Sequence, residues 1–282
     1  TSPQGAAADR SLRRMKRGRA LACLAAGAAL ALGACGSGER ERPAPPAAAA
    51  DASAAAADAR AAASAAPRTQ PPAEGRVLEL PEEGHPVIWP RRGERVVLRD
   101  RPGGKVIARL GQETEWGSPT VLHVAERRGA WAGVPTPHLP NGELAWVRLD
   151  ARRLYAGSVP WEIRVDLSDF RLELRRNGKV VRSFTVTVGA PESSTPTGRF
   201  AVTDTFRGGL NPSYGCCAVA LTARQPDLPS GWMGGDRIAI HGNGTGEPLG
   251  RAASHGCLRA RDADVNALVE RVPPGTPVII EQ

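Results

Sequence analysis

The 282-residue chain exceeds the usual single-domain size of roughly 100 to 200 residues, which predicts two modest domains plus non-globular sequence. Its formal charge is +8, but Arg10, Arg13, Arg14, Lys16, Arg17 and Arg19 against Asp9 place five of those charges before residue 35. The remaining excess is small and no Lys/Arg run is interleaved with aromatics, which excludes the electrostatic footprint of a nucleic-acid binder.

Met15-Lys16-Arg17-Gly18-Arg19 precedes an apolar run from Ala20 to Ala34. The run is too short to span about 30 Å of hydrocarbon but suits the core of a signal peptide, so export to the cell envelope is expected, with Met15 as the true start. Leu32-Gly33-Ala34-Cys35 resembles the bacterial lipobox, which implies acylation of Cys35 and a lipid anchor in a membrane. An ordinary signal peptide with an incidental Cys35 is the alternative. Residues 36–75 are almost all Ala, Pro, Arg and acidic side chains, a composition too poor in apolar surface to offset its ordering entropy, and they read as a disordered tether.

Between residues 76 and 155, short alternating runs at Arg95–Leu98, Lys105–Leu110, Thr120–Val124 and Leu144–Leu149 are separated by turn signals such as Pro102-Gly103-Gly104 and Asn141-Gly142. They predict a small β-barrel that resembles a bacterial SH3-like domain. Trp116, Trp131 and Trp146 form either a binding face or core and interface contacts.

From residue 160 to 282 the β pattern strengthens. Ile163, Val165 and Leu167 alternate, as do Phe170, Leu172 and Leu174; Asn177-Gly178 is a strong hairpin signal, and Phe184, Val186 and Val188 alternate after it. Further strands are expected at Arg199–Thr205, Cys216–Leu221, Arg237–His241 and Pro277–Glu281. One helix carries Val265, Leu268, Val269 and Val272 at helical spacing, with Asp262 as its expected cap and Pro273-Pro274-Gly275 as its stop. The fold class is therefore mainly β with one late helix.

His241 ends an apolar strand, and Ser254-His255-Gly256-Cys257 occupies a loop before the helix. A thiol is activated by a nearby imidazole and by a helix N-terminus, so Cys257 and His241 form a candidate nucleophile and base, with Gly256 and the following N–H groups as oxyanion donors. The alternatives are a buried structural cysteine and a zinc site of His241, His255 and Cys257 with Asp236 nearby. Cys216 and Cys217 are read as buried side chains, because adjacent cysteines seldom bridge each other.

Ile240-His241-Gly242, Leu249-Gly250, Ser254-His255-Gly256-Cys257-Leu258-Arg259 and, upstream, Thr195-Pro196-Thr197-Gly198-Arg199-Phe200 resemble the signatures of the YkuD-type L,D-transpeptidases. The resemblance covers about residues 160 to 282. It implies a β-sandwich-like catalytic domain without cofactor or metal, acting on peptidoglycan stem peptides. By it Cys257 is the nucleophile, His241 the base, Gly242 the residue whose carbonyl orients His241, and His255 a lining of the oxyanion side; Ser254 and Arg259 would shape substrate binding. The family often has Asn where Arg259 stands. The expected reaction is acyl transfer through a Cys257 thioester with release of D-Ala, giving 3→3 cross-links or another amide. The alternatives are L,D-carboxypeptidase activity and a non-catalytic wall-binding lipoprotein. Papain-like wall amidases place Cys before His, the reverse of the order here.

Overall fold

In the computed structural model, residues 76–228 and 235–282 are described, so the expected signal peptide, Cys35 and tether lie outside the described residues. Among the described residues, no helix is long and apolar enough to cross a membrane. The part before residue 160 contains β1 (His85–Pro90), β2 (Val96–Arg99), β3 (Val106–Leu110), β4 (Leu122–His123), β5 (Glu126–Arg128), β6 (Trp131–Pro135), β7 (Leu144–Arg148) and β8 (Leu154–Val159). Five of these pair in the order β3-β2-β7-β6-β5 and three in the order β4-β1-β8. Ile88, Leu98, Val134, Leu149 and Leu154 form their shared core. Strand β1 escaped the sequence pattern because Pro86 and Pro90 lack an N–H and ordinarily argue against an inner strand. They sit at its second and last positions, where the ladder tolerates them.

The part from residue 160 contains β9 (Trp161–Asp166), β10 (Arg171–Arg176), β11 (Lys179–Thr185), β12 (Val188–Gly189), β13 (Gly198–Phe206), β14 (Ala218–Arg224), β15 (Arg237–His241), β16 (Ala252–Ser254), β17 (Leu258–Arg259), α1 (Asp262–Val269) and β18 (Pro277–Glu281). The main sheet runs β11-β10-β9-β18-β13-β14-β15-β17. Strand β13 joins its halves, pairing with β18 through Gly198–Ala201 and with β14 through Val202–Phe206. The sheet closes over one core in which Ile163, Leu172 and Leu174 meet Leu221, Ile238, Ile240 and the Val265 and Leu268 side chains of α1. A mainly β, sandwich-like architecture with one helix results, as the alternation predicts. The Asn177-Gly178 turn takes positive φ at both residues (49° and 76°), the combination that matches strand twist in a tight hairpin.

Two local expectations change. The cap of α1 is Arg261, and Asp262 is the first helical residue; its carboxylate accepts instead from the Asn243 and Cys216 backbone N–H groups. The three tryptophans do not share a binding face: Trp146 is buried, Trp131 is partly buried, and Trp116, 43% exposed, lies against Phe206 and beneath the Arg237 guanidinium.

Several polar contacts tie the first part to the main sheet. Thr114 donates its hydroxyl to Asp204 (2.5 Å), Glu115 pairs with Arg237 (2.9 Å), and the Asn141 amide both donates to and accepts from the Arg224 backbone. Gly275 packs at this junction with φ +85°, where a Cβ would lie 2.8 Å from methyl groups of Val87 and Val121. Gly246 has a similar φ of +69° but open space around it. Gly246→Ala should therefore cost only the left-handed backbone penalty, about 1–2 kcal/mol, whereas Gly275→Ala should cost about 1–3 kcal/mol more through overpacking. Urea denaturation midpoints measure both, and equal losses would show that the junction is loosely packed.

Candidate active site

Along β15 the side chains alternate. Ile238 and Ile240 enter the core, which leaves Arg237, Ala239 and His241 on the opposite face. His241 is 7% exposed, and its Nδ1 lies 2.8 Å from the Gly242 carbonyl. A carbonyl only accepts, so Nδ1 carries the proton and Nε2 presents a lone pair. Gly242 is required by space: a Cβ there would collide with the Asp262 carboxylate and approach the Tyr214 carbonyl at 3.0 Å.

Strand β17 runs parallel to β15 with Leu258 beside Ile240 and Arg259 beside His241, which brings Cys257 alongside Ala239. The Cys257 Sγ accepts from the Ala239 N–H (3.4 Å) and lies 3.9 Å from the Arg237 carbonyl. The preceding loop is held from within and from outside. Ser254 Oγ donates to the Cys257 carbonyl (2.6 Å) and accepts from the Gly256 N–H (3.1 Å), while Thr195 donates to the Gly256 carbonyl (2.8 Å). The buried Gln225 amide donates to the carbonyls of Ser193 (2.9 Å), Ser194 (3.0 Å) and His255 (3.2 Å). Gly256 has φ +107°, and a Cβ there would run into that same amide. The His255 side chain is exposed.

Burial governs the protonation of both reactive groups. It lowers the His241 pKa to about 4, helped by the positive charge of Arg259 and opposed by the Gly242 and Tyr214 carbonyls. It raises the Cys257 thiol, although the Ala239 N–H and Arg259 pull the other way. The resting pair is thus neutral thiol and neutral imidazole. Between Cys257 and α1 the chain places the two residues of β17 and then residues 260 and 261. One expected oxyanion donor is engaged, since the Gly256 N–H is already given to Ser254. Arg259 is buried, with its guanidinium on Thr245 (3.1 Å), Glu247 (3.0 Å) and the Ala253 carbonyl (3.0 Å), and so braces the loop that follows His241.

Two site residues had no sequence signal. Tyr214, on a 3-10 turn at Pro212–Tyr214, places its ring 4.7 Å from that of His241, and its hydroxyl pKa is raised by burial and, when Cys257 is a thiolate, by that charge. Gln225 is a lone amide just past a strand, visible as a clamp only once the chain has folded. Cys216 and Cys217, expected to stay unbridged, form a disulfide with each other. Cys217 is buried in the core, as expected, and the backbone there turns to give its carbonyl to the Gly242 N–H (3.1 Å). The zinc alternative lacks a ligand set: among the described residues no group of three or more His, Cys, Asp and Glu converges, and Asp236 is paired with Arg224 (2.5 Å).

Residues 160–280 match the family model of the YkuD L,D-transpeptidase catalytic domain. YkuD of Bacillus subtilis (strain 168), a candidate L,D-transpeptidase by name, is 29% identical over 125 residues, which are 44% of this chain and 68% of that protein. YqjB of the same organism, similarly named, is 34% identical over 113 residues, 37% of this chain and 61% of that protein. Among solved structures, L,D-transpeptidase 3 from Mycobacterium tuberculosis aligns with a TM-score of 0.37 at 19% identity, covering 49% of this chain and 74% of that one. Bdellovibrio bacteriovorus Bd1075 aligns with a TM-score of 0.35 at 23% identity, covering 43% of this chain and 48% of that one. The chain thus spans about two thirds of these curated relatives and about half of Bd1075.

His241 binds protons more weakly folded (about 4) than unfolded (6.5), as does His123, whose pKa burial also lowers to about 4. The unfolded chain therefore takes up more protons in that interval, and stability present above about pH 6.5 is lost as pH falls toward about 4. His241→Gln should flatten this dependence of the urea midpoint between pH 6.5 and 4. An unchanged slope would remove His241 as a contributor.

Proposed function

We propose that residues 160–280 catalyse L,D-transpeptidation of peptidoglycan stem peptides, with Cys257 as nucleophile and His241 as general base. The observation that carries this reading is the Cys257 thiol held beside β15 within a stretch that matches the L,D-transpeptidase catalytic domain, on the strand that ends in His241 with Nε2 free of its proton. Because the resting pair is neutral, the proton passes from Sγ to Nε2 as sulfur attacks the carbonyl that precedes a terminal D-Ala. His241 then protonates the leaving amine, the C–N bond breaks, D-Ala departs, and a thioester remains on Cys257. An amine of a second stem attacks that thioester, His241 takes its proton, and the C–S bond breaks to leave a new amide and restore the thiol.

The remaining groups support this chemistry by position. Tyr214 stands beside the imidazole and within electrostatic reach of the sulfur, where its hydroxyl can donate toward a developing oxyanion. Ser254 and Gly256 fix the loop, Arg259 braces the facing loop, and the exposed His255 is assigned to line the oxyanion side. In the same reading the SH3-like part before residue 160 holds the enzyme on the wall, and export with acylation at Cys35 tethers it to a membrane of the envelope.

Cys257→Ala should lower D-Ala release from disaccharide tetrapeptides by at least about a thousandfold while leaving the thermal midpoint within a few degrees. Retained turnover would sink the nucleophile. Mass spectrometry of the products separates the fates of the thioester: a dimer with a 3→3 bond indicates transfer, and a tripeptide alone indicates hydrolysis. A carbapenem should add covalently to the wild-type chain and not to Cys257→Ala. Iodoacetamide should abolish turnover while a chelator leaves it unchanged, and the reverse pattern would favour metal chemistry.

A further inference from the structure

The five-stranded sheet of the first part gives one face to its core through Val96, Leu98 and Val147. Side chains alternate across a strand, so Arg95, Val97 and Arg99 fall on the other face. The register extends that face across the sheet: Arg109 stands opposite Val97, Trp146 opposite Arg99, and Arg148, two residues beyond Trp146, opposite Trp131. Strands β2 and β7 pair at Arg99 and Trp146 alone. A groove of about 430 Å³ lies here, with Arg95, Arg99, Arg109, Arg148, Arg153 and Trp131 in its lining. Its volume is within the range of sites that hold small molecules.

The five guanidinium groups share the groove with one acid, Asp150, whose two oxygens already face the Arg152 guanidinium (3.2 and 3.1 Å). Arg99 is fixed on the Gly104 carbonyl (2.5 Å), and Arg153 lies 3.8 Å from Glu94. Arg95, Arg109 and Arg148 are exposed, and among the described residues their side chains have no hydrogen bond or ion pair. Like charges gathered in one groove repel, and an anion between them turns that repulsion into attraction. A guanidinium is a planar fork shaped for two oxygens of one oxyanion. Three such forks without a partner exceed what one carboxylate can satisfy. A phosphate monoester concentrates about two negative charges on a single group, and Trp131 offers a flat apolar flank to whatever the phosphate is attached to. The site is also concave, which suits a soluble molecule better than the plane of a bilayer.

We propose that this groove binds a soluble organic phosphate of about sugar-phosphate size, with its phosphate on Arg95, Arg109 and Arg148 and its ring or chain against Trp131. The groove shares no residue with the Cys257 site, so it stands whether or not Cys257 is the nucleophile.

Calorimetric titration of the full chain with glucose 1-phosphate tests it, with glucose, acetate and citrate as controls. One-to-one saturable binding of glucose 1-phosphate is expected, with glucose and acetate at least about tenfold weaker. Citrate, which carries comparable charge on carboxylates, should also be weaker, and inorganic phosphate should displace the ester. Arg109→Gln and Arg148→Gln should each weaken binding about tenfold. Neither should lower the melting temperature, because neither side chain has a partner to lose. Arg127→Gln, which removes the same charge outside the groove, should leave the affinity within about twofold. No saturable binding of glucose 1-phosphate, equal binding of citrate, or wild-type affinity in both groove variants would overturn the proposal. So would pelleting with phosphatidylglycerol vesicles that glucose 1-phosphate cannot displace, which would make a membrane surface the occupant.

Discussion

The parallel pairing of β15 with β17 is the constraint on which the candidate site depends. It sets Arg259 beside His241 and Cys257 beside Ala239, and a slip of one residue would turn each of these side chains to the other face of the sheet. Strand β17 has only two residues, too few to hold its register by ladder hydrogen bonds alone. The loop before it supplies the rest: Ser254 closes on Cys257 and Gly256, Thr195 and Gln225 hold the Gly256 and His255 carbonyls, and Thr187 exchanges backbone hydrogen bonds with Arg259. The glycine at 256 is thus a packing requirement of the clamp as much as a backbone one, since the Gln225 amide occupies the space of its missing Cβ.

The same burial that fixes the geometry sets the protonation. Desolvation acts against charge on either partner, lowering His241 and raising Cys257, and it outweighs the Ala239 N–H that favours the thiolate. A pre-formed thiolate–imidazolium pair is therefore not the resting state. In the proposed mechanism the proton therefore moves as sulfur attacks, which makes the Nδ1 hydrogen bond to Gly242 the determinant of which nitrogen is ready. Through Gly242 this orientation is linked to Asp262, to the Cys217 carbonyl and to the Cys216–Cys217 disulfide.

The alternation of apolar side chains made most of the main sheet legible: β15 and β18 coincide with the runs read from sequence, and β13 extends its run by one residue at each end. Strand β14 began two residues later and ended three residues further on, because Cys216 and Cys217 are apolar in composition but committed to a turn against Asp262. His241, Cys257, Gly242 and Gly256 were visible because their motif is contiguous or nearly so. Tyr214 and Gln225 were not, since each lies more than thirty residues before Cys257 and acts through contacts that only the closed sheet creates. The helix illustrates a different failure. Asp262 has the right type for a cap, but competing N–H groups from Asn243 and Cys216 claim its carboxylate, and tertiary demand overrides local preference.

The junction with the first eight strands bears on the thiol through one residue. Arg237 offers its carbonyl side to Cys257 Sγ, while its guanidinium is taken by Glu115 and Thr203 and covered by Trp116. Glu115 and Trp116 belong to the first part of the chain, Thr203 to β13, and all three act on the strand that ends in His241. The first part is therefore built into the setting of β15 as well as lying beside it. Arg237 lies two residues along the strand from Ala239, whose N–H holds the sulfur, so the junction contacts of its guanidinium and the position of the thiol are set on one short stretch of backbone.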